Sequence, residues 1–434
     1  MKVNVVRKMT DATHEGGVAN PHIPYITQLK RAVFACLLWE NNFYEDGVSI
    51  ADRIKSLCDH VKPDEVAAIA REARTKMNLR HVPLLLVCAL ASRKYAGLDQ
   101  LTYDVIERAD EMGELLSIYW KDGKKPIPAA MKRGLAAAFT KFDAYQLGKY
   151  SGGAIKLKDV LRLVHPKPIH DVQARNWGDL VRGELTSPDT WEVQLSGGAD
   201  KKETFERLIR EKKLGYMALL RNLRNMSRAD VDPILVKDAL MNGNASRVLP
   251  FRYIAAARAV PEWANIIDGA FKKRLEALEG ADGDTVFLVD VSGSMDSKLS
   301  SKSDLMRMDA AAALAAIWPG EKRIFSFSSA LVEVGAYQGL AAIELIVNSQ
   351  EHGGTYLGNC LKVLPGIFSK KPKRLIVITD EQISDNIGRP YAEHGYIINV
   401  ASERPSIAYY GPWTSVTGFS ENVLRYIQEH ENLS

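Results

Sequence analysis

Between about residue 25 and residue 280 the apolar side chains recur at helical spacing, and at Gly280-Ala-Asp-Gly283 that texture stops. Ile50, Ile54, Leu57 and Val61 lie 4, 3 and 4 residues apart, and Val66, Ile69, Ala73 and Met77 lie 3, 4 and 4 apart. Each set forms the apolar stripe of an amphipathic helix. Ser187-Pro188 and Asp232-Pro233 read as an N-cap followed by proline in the first turn. Asn242-Gly243 reads as the stop of the helix that Asp232 opens, and Trp263, Ile267, Ala270 and Leu278 continue the period. Alternating strand pattern is almost absent here, which predicts a large all-helical domain. Stacked helical pairs of about 40 residues, a solenoid, fit the length and helix density, although no repeat is visible by inspection.

Beyond residue 283 short apolar runs alternate with helical ones. Thr285–Asp290, Arg323–Phe327, Arg374–Thr379 and Tyr396–Val400 read as strands; Ser303–Trp318, Tyr356–Phe368 and Glu421–Gln428 read as helices. Continuous apolar strands separated by helices predict a doubly wound parallel sheet covered on both faces. The chain of 434 residues therefore divides into a helical domain over 15–280 and an α/β domain over 284–434.

Composition narrows the class. Hydrophobic residues at 46% and charged residues at 25% can bury ample core, which excludes a mainly disordered chain. The longest apolar run, Val82–Ala91, falls far short of the ~20 residues of a membrane span, so no membrane association is expected. Arg7, Lys8, Asp11 and Glu15 interrupt the place where a signal peptide needs its apolar stretch, and a cytoplasmic protein is expected. Four cysteines without a CxxC pair argue against a disulfide framework and a thiolate zinc site.

Charge is unevenly placed. Residues 284–434 hold 13 Lys+Arg and 17 Asp+Glu, which leaves a surplus of 8 positive charges before them. Lys121–Arg182 carries 13 basic and 5 acidic residues, and Lys201–Arg228 carries 9 and 3. Such stretches are either a solvated face or the footprint of a polyanion, nucleic acid being the commonest.

The most specific chemistry stands at the end of the first strand, where Asp290-Val-Ser292-Gly-Ser294 sets one carboxylate and two hydroxyls on a tight turn. His352-Gly-Gly-Thr355 and Thr379-Asp380 place matching groups at the same sheet edge, where open α/β sheets bind ligands. Asp290, Ser292, Ser294, Thr355 and Asp380 form an all-oxygen donor set of few carboxylates, which suits Mg²⁺ or another hard divalent cation. Asp380, Glu381 and Asp385 leave a two-metal nuclease as a lesser alternative. The five residues resemble the metal-ion-dependent adhesion site of von Willebrand A domains. That resemblance implies hydroxyl ligands from Ser292, Ser294 and Thr355, with Asp290 and Asp380 acting directly or through water, and an open position completed by a partner's carboxylate.

Several segments of the first half resemble the TROVE domain of the Ro ribonucleoprotein family. They are Glu15-Gly-Gly17, Leu37–Gly47, Leu161-Arg-Leu-Val-His165-Pro-Lys-Pro168, Ala218–Asn225 and Leu249-Pro-Phe-Arg-Tyr253. A TROVE region followed by a von Willebrand A region is that family's own order. The resemblance implies a ring of HEAT-like helical repeats closed by the α/β domain, hence a monomer. It implies a small noncoding Y-type RNA on a basic outer surface, single-stranded RNA 3′ ends in a central hole, and an exoribonuclease as a further partner.

Lys149, Lys158, Arg162, His165 and Lys167 are the candidate RNA contacts, lying where the basic stretch and the family-like segment coincide. His165 alternatively packs or caps a helix, and Arg162 alternatively pairs with Asp159. Ser151-Gly152-Gly153 follows Lys149-Tyr150 where some relatives carry further basic residues. Trp120, Tyr145, Tyr150 and Trp177 either stack bases or pack against the protein, the latter being expected. Neither a phosphate loop, HExxH nor GxSxG occurs, and Cys360 lies on a helix reading as core, so a binder rather than an enzyme is expected. The rival reading is a helical scaffold that binds an acidic protein partner through Mg²⁺, with RNA incidental.

Overall fold

The computed structural model describes residues 24–34, 47–246, 248, 251–278, 280–298, 305–335, 337–380, 385, 387–400, 413–417 and 422–431. Glu15–Gly17, most of Leu37–Gly47, Leu249-Pro250 and Glu381 therefore lie outside the described residues. By packing, the chain divides into a unit of residues 25–39 and 47–239 and a second unit holding 240–434.

The first unit is helical. Its elements are α1 (Tyr25–Phe34), α2 (Gly47–Asp59), α3 (Pro63–Thr75), α4 (His81–Ser92), α5 (Leu98–Val105), α6 (Asp110–Tyr119) and α7 (Ala129–Ala138). Then come α8 (Ala144–Lys149), α9 (Leu157–Val164), α10 (Asp171–Arg182), α11 (Trp191–Ser196), α12 (Lys201–Arg210), α13 (Tyr216–Arg228) and α14 (Pro233–Asn242). The apolar run from Val82 is α4, which packs against α2, α3, α5 and α6 and buries nine residues from Val82 to Ala91. A helix apolar all round belongs at the centre of a core. None of the described helices is long and apolar enough to cross a membrane.

Buried charge ties the first helices together. Glu111 on α6 is fully buried and accepts two hydrogen bonds from Arg74 of α3 at 2.7 and 2.9 Å. It also accepts the Glu107 and Arg108 backbone N–H groups at 2.9 and 3.0 Å. Burial pushes its carboxyl upward while Arg74 pulls it down. Nearby, Gly113 allows the chain after α8 to dock on α6, because a Cβ there would meet the Ile155 carbonyl oxygen at 2.4 Å.

Two helix starts test the reading of the sequence. Asp232 opens α14 as expected, its Oδ1 accepting the Ile234 N–H at 2.9 Å, and the helix stops at Asn242. Ser187-Pro188 opens no helix; Thr190 caps α11 instead, accepting the Val193 N–H. The intervening Asp189 is held by Arg207 in two 2.8 Å hydrogen bonds and by Lys213 at 3.1 Å, at the centre of a tight turn in which the Thr190 N–H donates to the Pro188 carbonyl at 2.9 Å.

The second unit contains α15 (Phe251–Ala259), α16 (Ala264–Glu276), β1 (Thr285–Asp290), α17 (Arg307–Ala316), β2 (Lys322–Phe327), β3 (Leu331–Val334) and α18 (Leu340–Val347). It continues with α19 (Leu357–Ile367), β4 (Arg374–Thr379), β5 (His394–Asn399), β6 (Trp413–Thr417) and α20 (Asn422–Glu431). The six strands run in the order β3-β2-β1-β4-β5-β6. Five are parallel, and β3 pairs antiparallel with β2 at the edge, so the doubly wound parallel sheet expected from the sequence carries one antiparallel edge strand. The three residues between β2 and β3 are too few for a crossover, so only a hairpin can form. Strands β1 and β4 are buried at every position, as their unbroken apolar sequences require.

The change of sequence texture at 280 and the packing division near 240 do not coincide. Within this unit Asp268 of α16 accepts the Leu340 N–H at 2.8 Å, capping α18, and Arg258 of α15 pairs with Asp309 of α17. Two helices that read as part of the helical half are thereby fastened to the α/β half.

Candidate functional site

The sheet's chain reversal lies between β1 and β4, whose carboxyl ends sit side by side in register, Val289 beside Ile378. That is the crevice in which open α/β sheets hold ligands. Asp290 ends β1 with no exposed surface, and Asp380 follows β4 at 2% exposure. The turn after β1 closes on itself, the Ser292 N–H donating to Asp290 Oδ1 at 2.9 Å. Thr379 Oγ1 donates to Asp290 Oδ2 at 2.5 Å. Ser292 Oγ lies 3.3 Å from Ser294 Oγ, and Ser294 Oγ donates to Asp380 Oδ1 at 3.2 Å. Four of the five proposed donors thus form one chain of contacts.

Thr355, 5% exposed, comes from a loop locked onto the same turn. The Gly293 N–H donates to the Gly353 carbonyl at 3.0 Å, His352 Nδ1 lies 2.8 Å from the Val291 carbonyl, and the Gly353 N–H donates to Ser328 Oγ at 2.8 Å. A Cβ at Gly353 would stand 2.3 Å from Ser329 Oγ, so a larger residue there would turn that hydroxyl away.

Burial pushes the Asp290 carboxyl up to about 7, with Asp380 adding to the rise, although hydrogen bonds from Ser292 and Thr379 oppose it. A buried carboxylate beside a second one, among hydroxyls, is an arrangement a hard cation relieves. The donor set therefore fits Mg²⁺. One basic group is also present: Arg307, at the start of α17, sets Nη1 3.2 Å from Asp380 Oδ2. Sequence reading gave no sign of it, because a first-turn arginine looks like any solvated residue until the helix is docked.

The nuclease alternative loses Asp385, whose two oxygens accept the Gly358 and Asn359 N–H groups at 2.9 and 2.8 Å and cap α19. Cys360 belongs to the core beneath the sheet, and burial pushes its thiol up to about 11. It is no nucleophile at neutral pH.

The candidate RNA contacts lie on α8, α9 and the following loop, and both helices pack against α10. Lys149 ends α8 with its ammonium 5.7 and 5.6 Å above the Tyr145 and Tyr150 rings. Lys158 and Arg162 are one turn apart on α9, and Arg162 stands 4.0 Å from Asp159. His165 is the left-handed C-cap of α9, with φ 49°, its N–H donating to the Leu161 carbonyl while its ring is exposed. Lys167 is exposed in the loop beyond. Among the aromatics, Trp177 is core, edge-on to Phe139 at 5.9 Å, and Tyr150 lies beneath Arg108. Tyr145 is exposed and Trp120 half-buried.

Residues 181–276 match the family model of the TROVE domain. Over its fold the chain resembles the crystal structure of the Ro protein (RSR) of Deinococcus radiodurans, with TM-score 0.65 and 17% identity, covering 94% of this chain and 100% of that one. Residues 181–276 are thus similar to the TROVE domain, and the fold is similar to that of a Ro protein. The chain is also similar to telomerase protein component 1, 38% identical over 81 residues in Mus musculus and 24% over 292 in Rattus norvegicus. Those matches cover 17% and 45% of this chain but only 3% and 11% of the two relatives' length. A helical unit and a mostly parallel α/β unit fit that fold, and the family whose model matches is an RNA-binding one.

Proposed function

We propose that this Ro-type chain is an RNA-binding protein that holds a small noncoding, Y-type RNA on the basic surface of α8–α10, through Lys149, Lys158, Arg162, His165 and Lys167. It further receives single-stranded 3′ ends of misfolded or unprocessed RNA and hands them to a separate exoribonuclease in the cytoplasm. The observation that carries this reading is the TROVE match over 181–276, which contains the basic stretch Lys201–Arg228 and is preceded by a second basic stretch of 13 positive against 5 negative residues over Lys121–Arg182, on a Ro-type fold. Lysine and arginine would neutralise phosphates without reading sequence, and tails would be held by stacking. The protein itself catalyses nothing in this reading, in keeping with three described cysteines whose thiols burial pushes up to about 11 or 12.

Asp290, Ser292, Ser294, Thr355 and Asp380 would hold Mg²⁺ in the second unit. When bound, the ion supplies an open coordination position for a partner's carboxylate. The chain's own residues orient the site: Thr379 fixes Asp290, and the Gly353 contacts fix the loop bearing Thr355. This assembled donor set favours a second reading, a scaffold that recruits an acidic protein through the metal.

Fluorescence anisotropy with a hairpin RNA bearing a single-stranded 3′ tail, the same hairpin blunt-ended, and a DNA duplex tests the two. Tight, tail-dependent and steeply salt-dependent binding supports the RNA reading. Equal weak binding to all three overturns it in favour of the scaffold.

A further inference from the structure

The first unit carries an open groove of about 600 Å³ that none of the contacts proposed above uses. Its walls are the turn after α6 and the outer face of α9, with Trp120, Lys124 and Lys125 on one side, Leu163 and Asp159 on the other, and Ile155 between them. The volume lies in the range of small-molecule sites. The Trp120 indole is anchored at one edge, Nε1 donating to the Lys125 carbonyl at 2.7 Å, and the turn that carries it closes through the Gly123 N–H on the Trp120 carbonyl at 2.9 Å. Gly123, at φ +113°, adopts a conformation open to glycine alone.

The ring's face is covered by the Lys124 ammonium at 5.8 Å, near the outer limit of a cation–π contact, where a flexible chain is readily displaced. Lys125 sits 4.4 Å above Tyr119 beside it. The groove thus pairs a half-buried aromatic face and an apolar floor with two exposed lysines at its rim. Its carboxylate, Asp159, stands 4.0 Å from Arg162.

We propose that this groove is a subsite for an unpaired RNA base, stacked on Trp120 with its phosphates on Lys124 and Lys125. The inference rests on the RNA-binding reading and adds to it where the single-stranded segment is held. A paired base cannot use such a site, because in an A-form helix its faces are buried against neighbours. Charge chooses nucleic acid over an acidic peptide: a peptide carboxylate would engage the lysines but gain nothing from the indole face, whereas every base has a face to stack.

Trp120→Ala and Trp120→Phe, in the full chain, are titrated against the tailed and blunt hairpins. Trp120→Ala should weaken tailed-hairpin binding about 5- to 160-fold, the loss of one stacked base, and leave the blunt hairpin unchanged; Trp120→Phe should restore most of it. Lys124→Gln with Lys125→Gln should make the slope of log affinity against log salt shallower by about 1.4 on the tail alone. Should circular dichroism show Trp120→Ala misfolded, Leu163→Glu on the opposite, solvent-exposed wall takes its place, and the same tail-specific loss is expected. Equal loss on both RNAs, or tailed binding unchanged by the variants, overturns the groove while the RNA reading stands. A wild-type protein that binds neither RNA overturns both.

Discussion

Neutralising Lys149, Lys158 and Lys167 together, each to Gln, tests the outer RNA surface with a magnitude that follows from charge counting. The three ammonium groups lie on the end of α8, the face of α9 and the loop beyond it. Arg162 is left out because Asp159 stands 4.0 Å from its guanidinium, so its net field is reduced, and His165 is left to keep the left-handed cap of α9. Each phosphate neutralised contributes about −0.9 to the slope of log affinity against log salt on a duplex, so the triple variant should be shallower by about 2.7. From about 50 to about 200 mM salt the logarithm changes by about 0.6, so the affinity that wild type loses should exceed the variant's loss by about 40-fold. Anisotropy titrations of the blunt hairpin over that range give the slope, and a thermal melt establishes that both proteins are folded. A slope change below about 1 with folding intact would refute the assignment, because the RNA must then lie elsewhere.

Glu111→Gln leaves the buried Arg74 guanidinium with only the half-exposed Glu107 carboxylate, 3.7 Å away, as ionic partner, and guanidinium chloride unfolding should show a loss of about 3 kcal/mol; a change under about 1 would mean that Glu107 or water replaces the lost charge. Asp290→Asn combined with Asp380→Asn should abolish the heat of Mg²⁺ binding in calorimetry, whereas Arg307→Met, which removes the positive charge 3.2 Å from Asp380 Oδ2, should tighten binding; Mg²⁺ heat unaltered by the double variant would sink the site. Arg207 and Lys213 hold the Asp189 carboxyl well below its usual 3.8, so its contribution to stability is complete above that value and fades as pH falls through it. Wild type should therefore exceed Asp189→Asn in stability at neutral pH, with the difference shrinking below about pH 3.8; a pH-independent difference would show that the ion pair is not its source.

The cluster of candidate donors was legible because its residues sit at strand ends. Once Thr285–Asp290 and Arg374–Thr379 read as buried strands, parallel pairing brings Asp290 and Asp380 to one edge, and Gly353-Gly354-Thr355 at a helix start points to the same edge. Arg307 was not legible, since nothing in its neighbours shows that α17 brings its first turn to Asp380. The edge strand β3 was missed for its length: four residues, Leu331–Val334, give too short a pattern to separate from a loop. In the helical unit, Asp232-Pro233 announced its helix while Ser187-Pro188 did not, because Arg207 and Lys213, far along the chain, hold the segment between Ser187 and Thr190. The aromatics behaved likewise. Trp120 and Trp177 look equivalent in a basic stretch, yet one lines an open groove and the other is core.

Periodicity and turn chemistry are local, and they alone determined the all-helical first half, the α/β second half and the donor residues carried on strand ends. Packing is not local. Only the tertiary structure decided that α15 and α16 join the α/β unit, that a guanidinium shares the acidic site, and which aromatic faces stay open to a ligand. Each of those depends on contacts between residues dozens of positions apart, whose register no short-range pattern encodes.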